Sequence, residues 1–141
     1  MKLLCFGIEM RKLSVIFLLV CASARAETCQ KYDVANAELT GRVRVETFFG
    51  PPNFGESPET DSKERQAILH LDRPICTVAS ADSPAEERQT DVTLVPMGDF
   101  SLASFVGKQV TVKGKLFHAI TGHHHTNVLI SIDTAPQIAG K

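Results

Sequence analysis

Between Gln109 and Phe117 the apolar positions fall on every second residue, Val110, Val112 and Leu116 with Gly114 in phase, and that is the period of a strand with one buried face. Leu39 to Thr47 repeats the pattern, with Leu39, Gly41, Val43 and Val45 on one side and Arg42, Arg44 and Glu46 on the other. Val128, Ile130 and Ile132 share a face in a last strand. Each strand must bury its apolar side against others like it. Gly41 and Gly114 suit strands that bend around a barrel corner, where a missing side chain removes a clash.

Gln66 to Leu71 alternates with Ala67, Leu69 and Leu71 together, until Asp72-Arg73-Pro74 ends or bends the strand before Ile75 to Val78. Asp91 to Val95 reads as a short β-branched strand. Phe100 to Val106 is expected as one short helix stopped by Gly107. Glu56 to Arg65 and Ala79 to Gln89 lack an apolar period and are expected as loops. The fold class predicted is all-β, a small five-stranded Greek-key barrel of OB type with one short helix between strands three and four. A five-stranded SH3-like barrel or a small sandwich is the structural alternative. The barrel is expected over residues 37–133, between an N-terminal extension, 27–36, and a C-terminal tail, 134–141.

The start of the chain has a different character. Met10-Arg11-Lys12, the apolar run Leu13 to Ala22 and Ala24-Arg25-Ala26 supply the basic flank, apolar core and small-x-small site of an export signal over residues 1–26, with Met10 an alternative start. Cys21 after Leu18-Leu19-Val20 offers a lipidation site, but bulky Val20 fits that signal less well than Ala24-Arg25-Ala26 fits cleavage. No later run approaches the roughly twenty apolar residues of a membrane span, so no membrane insertion is expected after cleavage. Past Ala26 there are eleven Lys and Arg against fifteen Asp and Glu, a net charge of minus four, which argues against nucleic acid as a partner. Cys29 and Cys76 remain in that part, and export to the periplasm or beyond predicts a disulfide between them.

Four of the five histidines, His118, His123, His124 and His125, lie within eight positions, in a hairpin connection turned at Gly122. Strand parity puts His123 and His125 on one face and predicts His118 and His124 as a pair across the hairpin. His70, beside Asp72, faces outward and could approach them. Imidazoles suit zinc, copper or nickel, yet no His-Glu-x-x-His spacing fixes a catalytic site, and holding the hairpin in one shape explains the same residues. The second candidate surface is Phe48, Phe49, Pro51, Pro52, Asn53 and Phe54, which in an OB barrel lies toward the histidine hairpin. Rings and prolines on a loop suit contact with a protein or a sugar, although two of the phenylalanines could instead cap the barrel end. Arg42, Arg44, Lys113 and Lys115 form at most a small basic strip, diluted by Glu38 and Glu46. No nucleophile elbow, phosphate loop or dinucleotide fingerprint is present.

Phe49 to Asn53, Ile68 to Cys76, Gly107 to Ala119 and above all Thr121-Gly122-His123-His124-His125-Thr126-Asn127-Val128-Leu129 resemble the bacterial domain family DUF4431, over roughly Ala37 to Ile132. The resemblance implies a small exported protein, with the histidine hairpin, the Pro51-Pro52 loop and Cys76 as family features and no established activity. Ile120 stands where relatives are expected to carry a further histidine, which weakens a four-ligand metal scheme. These readings converge on a non-enzymatic periplasmic binding module for an envelope protein, saccharide or other small ligand. The alternatives are a histidine-based zinc, copper or nickel protein and a small envelope hydrolase.

Overall fold

A computed structural model describes residues 29–140, so the expected export signal and its cleavage site lie outside the described residues. Strand β1 (Ala37–Phe49) is followed by β2 (Lys63–Thr77), β3 (Glu86–Pro96), a 3-10 turn (Leu102–Phe105), β4 (Gln109–His118), β5 (Val128–Ile132) and β6 (Gln137–Ile138). The sheet order is β1-β2-β3-β5-β4, and β4 returns to β1 to close the barrel. All pairings are antiparallel except that of β3 with β5. This closed, mixed arrangement is the OB type, and neither an all-antiparallel meander nor a two-sheet sandwich produces it.

Closure rests on β1. Its first half, Ala37 to Arg42, pairs with β4, and its second half, Gly41 to Phe49, pairs with β2. One strand serving two neighbours must coil sharply, which brings backbones into close approach. A Cβ on Gly41 would lie 2.2 Å from the His70 carbonyl oxygen, and one on Gly114 would lie 2.0 Å from that of Ser131. The alternating side chains then meet inside: Leu39, Val43, Leu69, Leu71, Val92, Leu94, Val110, Val112, Leu116, Val128, Ile130 and Ile132 form the buried core. Val45 keeps the phase of Val43, opposite Ala67, but is 37% exposed.

Several boundaries differ from the sequence reading. The expected helix over Phe100 to Val106 is only the four-residue 3-10 turn, capped by the Ser101 hydroxyl accepting from the Ala103 amide. β2 starts at Lys63 and passes through Pro74 with a register shift between His70 and Ile75, so the proline bends the strand without ending it. β3 begins at Glu86, within the segment expected as a loop. Gln137 and Ile138, expected in the tail, pair with Thr111 and Val110.

Cys29 and Cys76 form the expected disulfide across a sequence separation of 47, worth on the order of 4 kcal/mol through the unfolded chain. It anchors the N-terminal segment, where Gln30 bridges Thr77 and the buried Tyr32 hydroxyl accepts from Thr77 Oγ1 at 2.8 Å. Replacing Gly114 with alanine is expected to cost about 3 kcal/mol, since the new methyl group meets backbone. Urea unfolding checks this: an unchanged midpoint would show that β4 and β5 can separate without cost.

Candidate functional site

Residues directly opposite one another in a sheet share a face. The register therefore sets Arg44, Ile68, Thr93, Leu129 and Phe117 in one outward row across β1, β2, β3, β5 and β4. Ile68 and Leu129 are only 1% exposed although neither points into the core. The connection from β4 to β5 lies over them. Thr126 Oγ1 accepts the Thr93 amide at 3.1 Å, Gln66 Nε2 donates to the His123 carbonyl, and the His124 ring meets Phe117 edge-on at 5.7 Å.

At the end of this row the two loops meet. The His125 imidazole stacks on Phe48 with centroids 4.3 Å apart and planes within 7°, and His123 meets Phe54 edge-on at 5.3 Å. Gly122 makes room, since a Cβ there would sit 3.0 Å from the Phe54 ring. Glu64 joins the two imidazoles: Oε1 lies 2.5 Å from His123 Nδ1 and Oε2 lies 3.0 Å from His125 Nε2. The hydrogen bond with His125 holds the Glu64 carboxyl below the usual range against the opposing effect of burial, and His123 adds to it by hydrogen bond and charge.

The five histidines occupy four environments. His123 and His125 share Glu64, while His124 turns to Phe117. The expected pairing of His118 with His124 does not form. His118 Nε2 lies 2.9 Å from Glu86 Oε1 and Nδ1 lies 2.8 Å from the Ala119 carbonyl, so both ring nitrogens are engaged. His124 Nδ1 accepts the Ile120 amide at 3.0 Å, and burial first, then the charges of His123 and His125, lower its pKa. His70 pairs across the strands with Asp91, Nδ1 to Oδ1 at 2.8 Å, and not with Asp72, which accepts from Gln109. Burial raises the Asp91 pKa, but the His70 hydrogen bond and the Arg44 charge outweigh it and leave it low. Among the described residues no group of three or more His, Cys, Asp or Glu side chains forms a ready-made metal enclosure.

In the other loop only Phe48 and Phe54 reach the histidines. Phe49, next along the strand, points elsewhere and lies under Lys63, whose Nζ is 3.0 Å from the ring centroid. Pro51, Pro52 and Asn53 are exposed, and the Pro51-Pro52 peptide is cis. Asp61 organises this loop by accepting the amides of Asn53 at 2.8 Å, Gly55 at 2.7 Å and Ser57 at 3.4 Å. Beyond His125 the surface opens into a shallow polar groove of about 270 Å³ bordered by Arg88, Gln89, Thr90, Asp91, Thr126 and Asn127. The cationic strip does not persist, because Arg44 pairs with Asp91 and Glu46, Lys113 with Glu38 and Lys115 with Asp33, while Arg42 donates to the Gly107 carbonyl.

Glu64 was hidden because Glu56 to Arg65 reads as a loop. Running the β2 alternation back from His70 through Ile68 and Gln66 would have reached it. Glu86 and Asp91, which engage His118 and His70, carry no comparable sequence signal.

Residues 91–136 match the model of the family described as a domain of unknown function, DUF4431, so the resemblance holds over this segment. The match takes in most of β3, all of β4 and β5 and every histidine of the hairpin, and it leaves out Glu64 and the Phe48 to Phe54 loop. No curated protein and no solved structure matches the chain.

Burial raises the Asp61 pKa, but the backbone amides of Gly55, Asn53 and Ser57 outweigh it and hold it below its ordinary value. A carboxyl with a depressed folded pKa stabilises the fold above its unfolded pKa, and that contribution disappears as pH falls through the folded value. Acidification below about pH 4 should therefore lower the protection of the Asn53, Gly55 and Ser57 amides, measured as exchange relative to the intrinsic rate at each pH, before the barrel opens. In Asp61→Asn that acid step should vanish, and its persistence would assign it to another group.

Proposed function

We propose that this protein is an exported, non-enzymatic binding module whose ligand surface is the outward barrel face where the two loops meet. The observation that carries this reading is the stack of Phe48 on His125, which makes one surface of two loops far apart in the chain. Rings held by packing present area to a ligand at little entropic cost. The adjoining groove offers amide, hydroxyl, guanidinium and carboxylate groups, a mixture suited to the hydroxyls and amides of an envelope saccharide or a protein loop. Placement in the periplasm or beyond is supported by the export-signal pattern and by the Cys29–Cys76 disulfide.

Nuclear magnetic resonance titration with fractionated envelope extract tests the surface. A cognate fraction should shift the amides of residues 88–91 and 122–127, and Phe48→Ala with Phe54→Ala should abolish those shifts while the remaining spectrum stays that of the folded barrel. Shifts confined to another face, or undiminished in the double variant, would refute the assignment.

A further inference from the structure

We infer that this protein pairs with a second copy of itself along the outer edge of β1, in antiparallel register about a two-fold axis at Thr47. The inference goes beyond the ligand surface and does not depend on it.

In an antiparallel sheet the N–H and C=O of one residue point to the same side, and those of its chain neighbours point to the other. The Val43 amide donates to the Lys108 carbonyl at 3.0 Å and its carbonyl accepts from Gly107 at 2.8 Å, so the odd-numbered positions of β1 turn away from β2. Val45, Thr47 and Phe49 follow the same side. β4 leaves β1 at Arg42, and among the described residues no strand replaces it along Val45 to Phe49. Val45 and Thr47 are exposed. The next loop clears the edge, because the Gly50 amide donates to the Ser62 carbonyl at 2.9 Å and the Pro51 carbonyl accepts from Ser62 at 2.8 Å, both on the β2 side. A free edge is a template for another strand, and proteins usually blunt it with lysine, proline or a bulge. Val45 to Phe49 carries none of these. β3 also lacks a second neighbour before Thr93, but there Arg88 at φ 51° breaks the flat edge.

The occupant that fits this edge is the same strand of another copy. An axis at Thr47 sets Val45 opposite the partner's Phe49 and Thr47 opposite its own copy, so all the open positions become hydrogen-bonded pairs and about six bonds form. Between them Glu46 faces Phe48, and no like charges are directly opposed. An axis one residue earlier would oppose two Glu46 carboxylates, which is unfavourable. An axis at Val45 would direct Thr47 to Val43, whose peptide groups are already taken by Gly107 and Lys108. An axis at Phe48 would set Val45 against Pro51, which has no N–H. A β-branched residue against an aromatic one is a favoured cross-strand pair, and Val45 is among the exposed large apolar side chains. A single edge buries less than the roughly 1,200 Å² of a stable complex, so the dimer is a weak one. A two-fold axis perpendicular to the sheet keeps both outward faces on one side, which joins the two surfaces that carry the stack of Phe48 on His125.

Sedimentation equilibrium of the tag-free exported protein from about 5 μM to about 1 mM, with amide exchange followed by nuclear magnetic resonance at both ends of that range, tests the pairing. The expected result is a monomer–dimer equilibrium with a Kd below about 1 mM, in which the amides of Val45, Thr47 and Phe49 gain protection as concentration rises. Isotope-filtered contacts between Val45 of one copy and Phe49 of the other should report the register. Thr47→Pro should keep the barrel, because the Thr47 N–H lies outside its ladder, and should weaken the dimer at least about tenfold. Val45→Lys should do the same by placing a charge on the edge, and if Thr47→Pro unfolds, Val45→Lys decides. A monomer throughout the range, a dimer that survives Val45→Lys, or protection of these amides that is independent of concentration overturns the proposal. So does protection gained only on adding envelope extract, which would give the edge to a different chain.

Discussion

The fold depends on a single strand being shared. β1 gives its first half to β4 and its second half to β2, and the crossing is tolerated because Gly41 and Gly114 put no Cβ where carbonyl oxygens pass within about 2 Å. Without that approach the sheet would keep two open edges. With it one apolar face of each of the five barrel strands meets in a single interior, and the loop after β1 emerges beside the connection between β4 and β5.

That adjacency turns a set of histidines into a structured surface. The 121–127 segment lies back over the barrel and shields Ile68 and Leu129, which would otherwise be an apolar patch on the outward face. Histidines on this side of the barrel are held by three acids, Glu64 for His123 and His125, Glu86 for His118 and Asp91 for His70, and by contact with aromatic rings. An ionised carboxylate is a strong acceptor for an imidazole N–H, so each pair fixes a ring orientation that an unpaired histidine would lack. The organisation of the opposite loop has the same character, with Asp61 gathering backbone amides that no strand satisfies.

Much of the barrel was legible because a period of two is a local property. Val110, Val112 and Leu116, or Val128, Ile130 and Ile132, announce a strand and its buried face whatever partner it finds. Parity holds only within a strand. It failed for the pairing of His118 with His124, because the nine residues from Ala119 to Asn127 form an irregular connection in which alternation no longer carries the chain's direction. It failed at Phe100 to Val106 as well, where apolar spacing reads as a helix but Phe100, Leu102 and Phe105 are seated on the core by a short turn.

The amino-acid order alone determined the existence of the five barrel strands and the inward phase of each, where the glycines permit close approach and which two cysteines remain past the export-signal pattern. Those follow from side-chain alternation and backbone permissiveness, which act over a few residues. Only the tertiary structure decided that Glu64 stands between His123 and His125, that Phe48 rather than Phe49 meets the hairpin, and that His70 belongs to Asp91. Each of those depends on register across strands, and register is set by closing the whole barrel around one core.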